Sequence, residues 1–123
     1  MEYLREEVIK TTSEYDKERL SAFLNKQGLT LDNDIEYSMA LTDSGRIVAA
    51  GSFAGRVLKC IAVDEDYKGW GLSAKVVSHL VNELYRRGRT HLFIYTKPQN
   101  KNIFSELGFS PVAEVPSKVI LME

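Results

Sequence analysis

The segment from Val57 to Thr96 constrains the fold of this chain more than any other part of the sequence. It begins with the apolar run VLKCIAV, continues through the loop DYKGWGLS, and ends with the second apolar run HLFIYT. Between the loop and the second run, apolar residues recur every four positions, the spacing of one buried helix face: Leu72, Val76, Leu80 and Leu84. A strand, a loop, a helix and a strand in this order predict two parallel strands joined by a right-handed crossover.

The chain before this unit predicts antiparallel structure. EYSMALT and IVAAGSF are separated by the turn sequence DSGR, and AGR leads from the second run into VLKCIAV. Runs joined by such short turns pair as an antiparallel meander. Further upstream, residues 3–10 predict a strand, and Ser13 predicts the N-cap of a helix that continues to about Gln27 and ends at Gly28.

After the crossover unit, the sequence predicts a short helix that ends at Gly108, followed by a hairpin from residues 110–115 and 118–122. The predicted fold class is therefore α/β (α+β), with a mixed, mostly antiparallel sheet and a central parallel β-α-β crossover. At 123 residues, the chain is expected to form a single domain over positions 1–123.

The composition excludes several classes of function. A net charge of -1 provides no general attraction for nucleic acid or for an anionic membrane, and no apolar run approaches the ~20 residues of a membrane span. The single cysteine, Cys60, excludes an internal disulfide, and no residues have the spacing of a metal site. We expect a cytoplasmic protein without a nucleic-acid, membrane or metal partner.

The loop at the start of the predicted helix has the composition of an anion site. Gly69 and Gly71 bare backbone amides at a helix N-terminus, and Lys68 adds a positive charge; the alternative is a tight turn with no ligand. A dinucleotide fingerprint does not fit, because five residues, DEDYK, separate the strand from the glycines and the next strand ends in Tyr95, Thr96 and Lys97. A Walker A sequence is absent.

The stretch VDEDYKGWGLSAKVV resembles the acetyl-CoA-binding motif of the Gcn5-related N-acetyltransferase (GNAT) superfamily, whose loop has the form [RQ]-x-x-G-x-[GA]. This resemblance implies the GNAT acyl-CoA N-acyltransferase fold. It implies that the loop amides hold the CoA pyrophosphate and that the preceding strand hydrogen-bonds the pantetheine arm. The residues concerned are Lys68, Gly69, Trp70, Gly71, Leu72 and Ser73 in the loop, and Ile61, Ala62 and Val63 in the strand.

Two residues depart from the motif, since Lys68 replaces an arginine or glutamine and Ser73 replaces a glycine or alanine. Both changes leave the amides and one cation, although lysine lacks the bidentate grip of arginine. The resemblance also implies that Asn100 contacts the CoA arm, with a helix N-cap as the alternative. Trp70 is expected to cover the adenine or pantetheine, or else to contact another domain.

The second half, THLFIYTKPQNKNIFSELGFSPVAEVPSKVILME, resembles the N-terminal acetyltransferase-like domain of the citrate lyase ligase family. That family uses ATP and acetate to acetylate the prosthetic thiol of citrate lyase, through a nucleotidyltransferase domain that is expected to follow this one. No H-x-G-H motif of such a domain occurs here. The resemblance implies acetyl-CoA or a CoA-like, dephospho-CoA-derived group as ligand, and the citrate lyase acyl carrier subunit as partner.

The sequence does not identify the catalytic residues. The pattern F-Y-x-x-x-G-F of many GNAT enzymes places Phe104 where a tyrosine would protonate the leaving thiolate. Tyr95 and Cys60 are weak candidates, with a core aromatic and a small buried strand residue as the alternatives. The remaining titratable candidates are interpreted as follows: His79 as solvated, His91 as a base or an edge group, and Glu65 and Asp66 as general bases or surface carboxylates.

Three functions follow from these residues. The first is a CoA-binding acetyltransferase-like domain of citrate lyase ligase. The second is a stand-alone acetyl-CoA-dependent N-acetyltransferase of a small amine. The third is a non-catalytic CoA-binding module, and the phenylalanine at position 104 favours the first and third.

Overall fold

The computed structural model describes residues 4–97, 100–115 and 119–122. Within them the chain forms a sheet with helices on both faces. The elements in chain order are β1 (Leu4–Ile9), α1 (Glu14–Lys26), β2 (Tyr37–Asp43), β3 (Arg46–Ala54), β4 (Val57–Val63), α2 (Leu72–Arg86), β5 (Phe93–Thr96), α3 (Lys101–Glu106), β6 (Pro111–Val115) and β7 (Val119–Met122).

The strands form one seven-stranded sheet in the order β1-β2-β3-β4-β5-β7-β6. Strands β1 to β4 pair as an antiparallel meander, β4 and β5 pair in parallel, and β7 pairs antiparallel with both β5 and β6. The helix α2 connects the parallel pair. The predicted mixed sheet with a central β-α-β crossover is thus confirmed.

The helix α1 begins where the sequence predicts. The Ser13 hydroxyl accepts a hydrogen bond from the Asp16 backbone amide at 3.4 Å, and Ser13 has an extended backbone, as an N-cap requires. The Asp16 carboxylate accepts a further hydrogen bond from the Lys10 amide at 3.2 Å. At the other end, Gly28 has a φ of 79°, a left-handed conformation that glycine adopts without steric cost.

Each face of the sheet has its own apolar core. On one face, the predicted stripe of α2 is almost fully buried against residues of the central strands, among them Met39, Phe53, Leu58 and Ile94. On the other face, Leu20, Phe23 and Leu24 of α1 pack against Ile9, Ala40, Ile47 and Ala50. Burial of both faces explains why β3 is apolar almost throughout its length.

Two predicted boundaries differ in detail. The strand β5 begins at Phe93 rather than at His91, because His91 has a φ of 56°, outside the extended range of a regular strand. The closing hairpin is observed as β6 and β7, and its predicted residue Lys118 lies outside the described residues. No helix in the described part of the chain is long and apolar enough to cross a membrane.

Candidate functional site

The parallel strands β4 and β5 separate soon after they meet. Their pairing covers only Val57 with Phe93 and Leu58 with Ile94. Beyond these pairs, β4 continues along β3 to Val63, and β5 continues along β7 to Thr96. Within the described residues, the facing edges of the two strands therefore leave a gap, which Ile61, Ala62 and Val63 of β4 border.

A β-bulge in β4 explains why the strands separate. Ala50 of β3 is opposite Ala62 and Ser52 is opposite Lys59, so β4 has one residue more than β3 over this stretch. Cys60 takes up the extra length with a φ of 57°, an uncommon conformation for a residue other than glycine. A bulge bends its strand and increases the local twist, which turns the second half of β4 away from β5.

The predicted glycine loop lies at the end of β4. A single 3-10 turn, Glu65–Tyr67, leads into it, and the Asp64 carboxylate accepts the Asp66 amide at 2.9 Å to begin that turn. Gly69 and Gly71 have φ values of 88° and 74°. A Cβ added at either glycine would meet no atom within 4 Å, so the backbone conformation, rather than packing inside the protein, requires glycine there.

The loop delivers free backbone donors. No amide from Gly69 to Ala74 donates a hydrogen bond to another described residue. Leu72 is buried as the first residue of the 15-residue helix α2, and Ser73 and Ala74 lie in its first turn. The first amides of a helix have no partner within it, and the helix dipole adds partial positive charge at the same end. This end of α2 is therefore suited to an anionic group.

Side chains around the loop fix its position. The Tyr67 hydroxyl donates to the Asp43 carboxylate at 2.6 Å, which ties the loop to the end of β2 and raises the pKa of Tyr67. Trp70 is 50% exposed and meets the Tyr67 ring edge-on, with 5.4 Å between the ring centroids. Lys68 pairs with Glu65 at 3.0 Å; because both side chains are exposed, the pair contributes little stability and the Lys68 charge remains available.

The segment after β5 reaches towards α1. Lys97 Nζ donates to the Gln27 carbonyl at 3.2 Å, and the Asn100 amide donates to the Lys97 carbonyl at 2.9 Å. Asn100 occupies the N-cap position of α3, as the alternative interpretation has it, although its side chain makes no capping hydrogen bond. Sequence reasoning missed a role for Lys97, and no local pattern marks its contact with a residue 70 positions away.

The two weak catalytic candidates have different surroundings. The Cys60 thiol donates to the Thr30 carbonyl at 3.7 Å, and burial raises the pKa of Cys60, which keeps the thiol protonated. Tyr95 is 44% exposed, so the interpretation of Tyr95 as a core aromatic is wrong. Tyr95 lies on the sheet face opposite Ile94, and α1 packs on β1 to β4 rather than on β5.

The sequence predicts a solvated His79, and this prediction is wrong. Its Nδ1 lies 2.7 Å from the Glu6 carboxylate, and its Nε2 lies 2.6 Å from the Tyr37 hydroxyl, with the side chain 20% exposed. A carboxylate only accepts, so the ring donates from Nδ1. The three residues join β1, β2 and α2 along a groove of about 640 Å³, and sequence reasoning missed this cluster because Glu6 and His79 are 73 positions apart.

The remaining candidates offer no acid or base in a defined pocket. Phe104, at the position of the usual GNAT tyrosine, is only 2% exposed and belongs to the core beneath α2. His91, Glu65 and Asp66 are exposed. Among the described residues, no group of three or more His, Cys, Asp or Glu side chains is arranged to hold a metal ion.

Comparison with known protein families shows to which family this fold, with its glycine loop and its gap between β4 and β5, belongs. The family model described as an acetyltransferase (GNAT) domain matches residues 5–119. The chain belongs to the GNAT family. The resemblance on which the sequence analysis relied is thereby confirmed for nearly the whole chain.

Relatives and solved structures agree with this assignment. The GNAT domain is 40% identical over 87% of its length to the [citrate [pro-3S]-lyase] ligase of Klebsiella pneumoniae and 36% identical over 85% to that of Escherichia coli. It spans only 31% and 30% of these two proteins.

The fold is shared with an acyl-CoA N-acyltransferase from Pseudomonas aeruginosa, with a TM-score of 0.79, 14% identity and 97% coverage of both chains. It is also shared with N-acetylglutamate synthase from Neisseria gonorrhoeae complexed with coenzyme A and L-arginine, with a TM-score of 0.69 and 17% identity. That alignment covers 97% of this chain and 32% of the synthase.

Proposed function

We propose that this GNAT domain binds a CoA-type ligand, either acetyl-CoA or a dephospho-CoA-derived group, in the gap between β4 and β5. The observation that carries the proposal is the run of free amides from Gly69 to Ala74, which follows β4 after a single 3-10 turn, at the end where β4 has separated from β5. The pyrophosphate lies against these amides, and the pantetheine arm hydrogen-bonds to the backbone of Ile61, Ala62 and Val63.

The residues fit such a ligand. A Cβ at Gly69 or Gly71 would project into open space, which leaves room for phosphate oxygens to approach the backbone. Lys68 adds a cation that is held only by an exposed ion pair, and Trp70 offers an exposed ring beside the loop. Acetyl-CoA, when bound, supplies an activated acyl thioester; the residues named here bind and orient it.

The family resemblance suggests which process this site serves. The relatives are named [citrate [pro-3S]-lyase] ligases, and their length is about three times that of the matched region. We infer that the domain holds the CoA-like arm of the citrate lyase acyl carrier, or its acetyl thioester, for the ligase. A CoA site has an evident use there, because the prosthetic group of that carrier is derived from dephospho-CoA.

A non-catalytic CoA-binding module is the second candidate, and Phe104 favours it. A phenylalanine has no proton to donate to a leaving thiolate, and this one is packed in the core with 2% exposure. The same observation disfavours the stand-alone acetylation of a small amine. Incubation of the protein with acetyl-CoA and a panel of amines tests whether it acetylates a small amine. Release of free CoA that depends on the amine would favour a stand-alone N-acetyltransferase over the non-catalytic module.

Isothermal titration calorimetry with CoA, acetyl-CoA and dephospho-CoA tests the proposed site. We expect dissociation constants in the micromolar range, roughly −8 kcal/mol, for at least one of the three. The affinity for dephospho-CoA distinguishes a site for the carrier arm from a general CoA site. If the prosthetic group is the natural ligand, dephospho-CoA, which lacks the 3′-phosphate, should bind nearly as tightly as CoA. If none of the three ligands produces a heat of binding, the proposal is wrong.

A further inference from the structure

Lys97 is the first residue after β5, and its side chain reaches the C-terminal end of α1. Its Nζ donates to the carbonyl of Gln27, the C-cap residue of α1, at 3.2 Å. A Cβ added at the neighbouring Gly28 would be 3.2 Å from the same nitrogen. The ammonium group is therefore placed on the sheet face that α1 covers.

The register of the parallel pair places Lys97 beside the bulge. Val57 is level with Phe93 and Leu58 is level with Ile94. Lys97 follows Ile94 by three residues, which places it near the bulge at Cys60, beyond the last paired residues. Because α1 packs on β1 to β4 and not on β5, the Lys97 side chain leaves the end of β5 on the side of β4 and passes over the gap at this level. The ammonium is thus held where the two strands have already separated.

The direction of the proposed CoA-type ligand brings its thioester towards the bulge at Cys60. The loop that holds the pyrophosphate follows the last residue of β4, so the pantetheine arm runs backwards along β4 from Val63 towards Ile61. These two positions are roughly 7 Å apart at ~3.3 Å per residue. The thioester then lies near Cys60, whose thiol contacts the Thr30 carbonyl on the same face.

Lys97 has donors left for a ligand. An ammonium group has three hydrogens, and the Gln27 carbonyl takes one of them. Among the described residues, no carboxylate forms an ion pair with Lys97. A cation of this kind, half-buried and without a counter-charge, is suited to an oxygen acceptor that carries partial negative charge.

We propose that Lys97 donates a hydrogen bond to the carbonyl oxygen of the acyl group and so makes the site distinguish an acyl thioester from free CoA. This inference rests on the proposed function, since it requires a CoA-type ligand in the gap. It assigns Lys97 a role in specificity. The alternative is that Lys97 only caps the carbonyl end of α1, where a cation is favourable in any case.

The ratio of the acetyl-CoA affinity to the CoA affinity distinguishes a role of Lys97 in specificity from a role as a cap of α1. Calorimetry on three variants measures this ratio. Lys97→Met should weaken acetyl-CoA binding by about tenfold or more, the loss expected for a charged hydrogen bond, and should leave CoA binding within about twofold. Lys97→Arg should keep most of the preference for acetyl-CoA. Lys26→Met removes a cation from the same end of α1 without reaching the gap, and should leave the ratio unchanged.

The melting temperature of each variant is measured alongside, because a purely structural role would lower stability without changing the ratio. Should Lys97→Met fail to fold, Lys97→Gln, which keeps a donor for the Gln27 carbonyl but loses the charge, takes its place. An unchanged ratio in the folded variant overturns this inference and leaves the proposed function intact. A wild-type chain that binds neither ligand overturns the proposed function and this inference with it.

Discussion

Gly51 of β3 lies so close beneath Val76 of α2 that no Cβ fits between the strand and the helix. A Cβ at this position would also be 2.9 Å from Leu80 Cδ1 and 3.2 Å from Ile61 Cγ1. The absent side chain thus sets how closely α2 approaches the sheet. The N-terminus of the same helix carries the loop amides, so this contact in the core also positions the candidate ligand site.

Replacement of Gly51 by alanine is expected to destabilise the fold by about 1–3 kcal/mol, because the added methyl group overpacks a filled core. Urea unfolding monitored by circular dichroism measures the change. In the double variant with Val76→Ala, the cost should be smaller than the sum of the single costs, because the second change removes the clashing methyl groups. Additive costs would show that the contact with Val76 is not the cause.

Replacement of Gly71 by valine is expected to weaken CoA binding at least tenfold. The φ of 74° is unfavourable for a β-branched residue, and the new side chain would occupy the space in front of the free amides. The matched control is Gly88→Val, since Gly88 follows the end of α2 with a φ of 78°. Both variants should lose about 1–3 kcal/mol of stability, and only Gly71→Val should lose affinity in calorimetry. Equal affinities for the two variants would contradict the assignment of the loop.

Glu36 is expected to stabilise the protein in a pH-dependent way. Its carboxylate accepts hydrogen bonds from Arg89 Nη2 at 2.9 Å and from the Gly55 amide, and the Arg89 bond is the main reason that the pKa of Glu36 is lowered from 4.5. A group with a lowered pKa in the folded state contributes stability above its unfolded pKa, and this contribution is lost as the pH falls through the folded pKa.

The melting temperature of Glu36→Gln should therefore lie below that of the wild type at pH 7, and the difference should shrink as the pH falls below about 4.5. Glu18→Gln serves as the control, because Glu18 is exposed on α1 and its side chain makes no hydrogen bond or ion pair with the described residues. A constant difference from pH 7 to pH 3 would show that the ionised carboxylate is not responsible.

Cys60 is expected to react slowly and to be dispensable for binding. Burial raises the pKa of the thiol, so at pH 8 less thiolate is present than in an unfolded chain, and alkylation by iodoacetamide should be several-fold slower in the folded protein. Mass spectrometry follows the reaction, with the urea-unfolded chain as reference. Cys60→Ala should keep the CoA affinity within about twofold, because the proposed contacts use the β4 backbone. Fast alkylation in the folded state would point instead to an activated thiol.

The sequence by itself determined the secondary-structure elements and the position of the loop. The four-residue spacing from Leu72 to Leu84, the Ser13 cap and the turn sequences between β2, β3 and β4 depend on near neighbours in the chain, and they form as predicted. The glycine loop also depends on near neighbours, because the left-handed conformations observed at Gly69 and Gly71 are accessible to glycine without steric cost. Local backbone preference and periodicity suffice for features of this kind.

The tertiary structure decided how these elements combine into a site. The gap between β4 and β5, the bulge at Cys60 and the exposure of Tyr95 follow from which strands pair and which faces a helix covers. The contacts of His79 with Glu6 and of Lys97 with Gln27 join residues 73 and 70 positions apart, and no local pattern encodes them. Such contacts exist only after the sheet has brought distant segments together, because hydrogen bonds and close packing act over a few ångströms of space, whatever the separation along the chain.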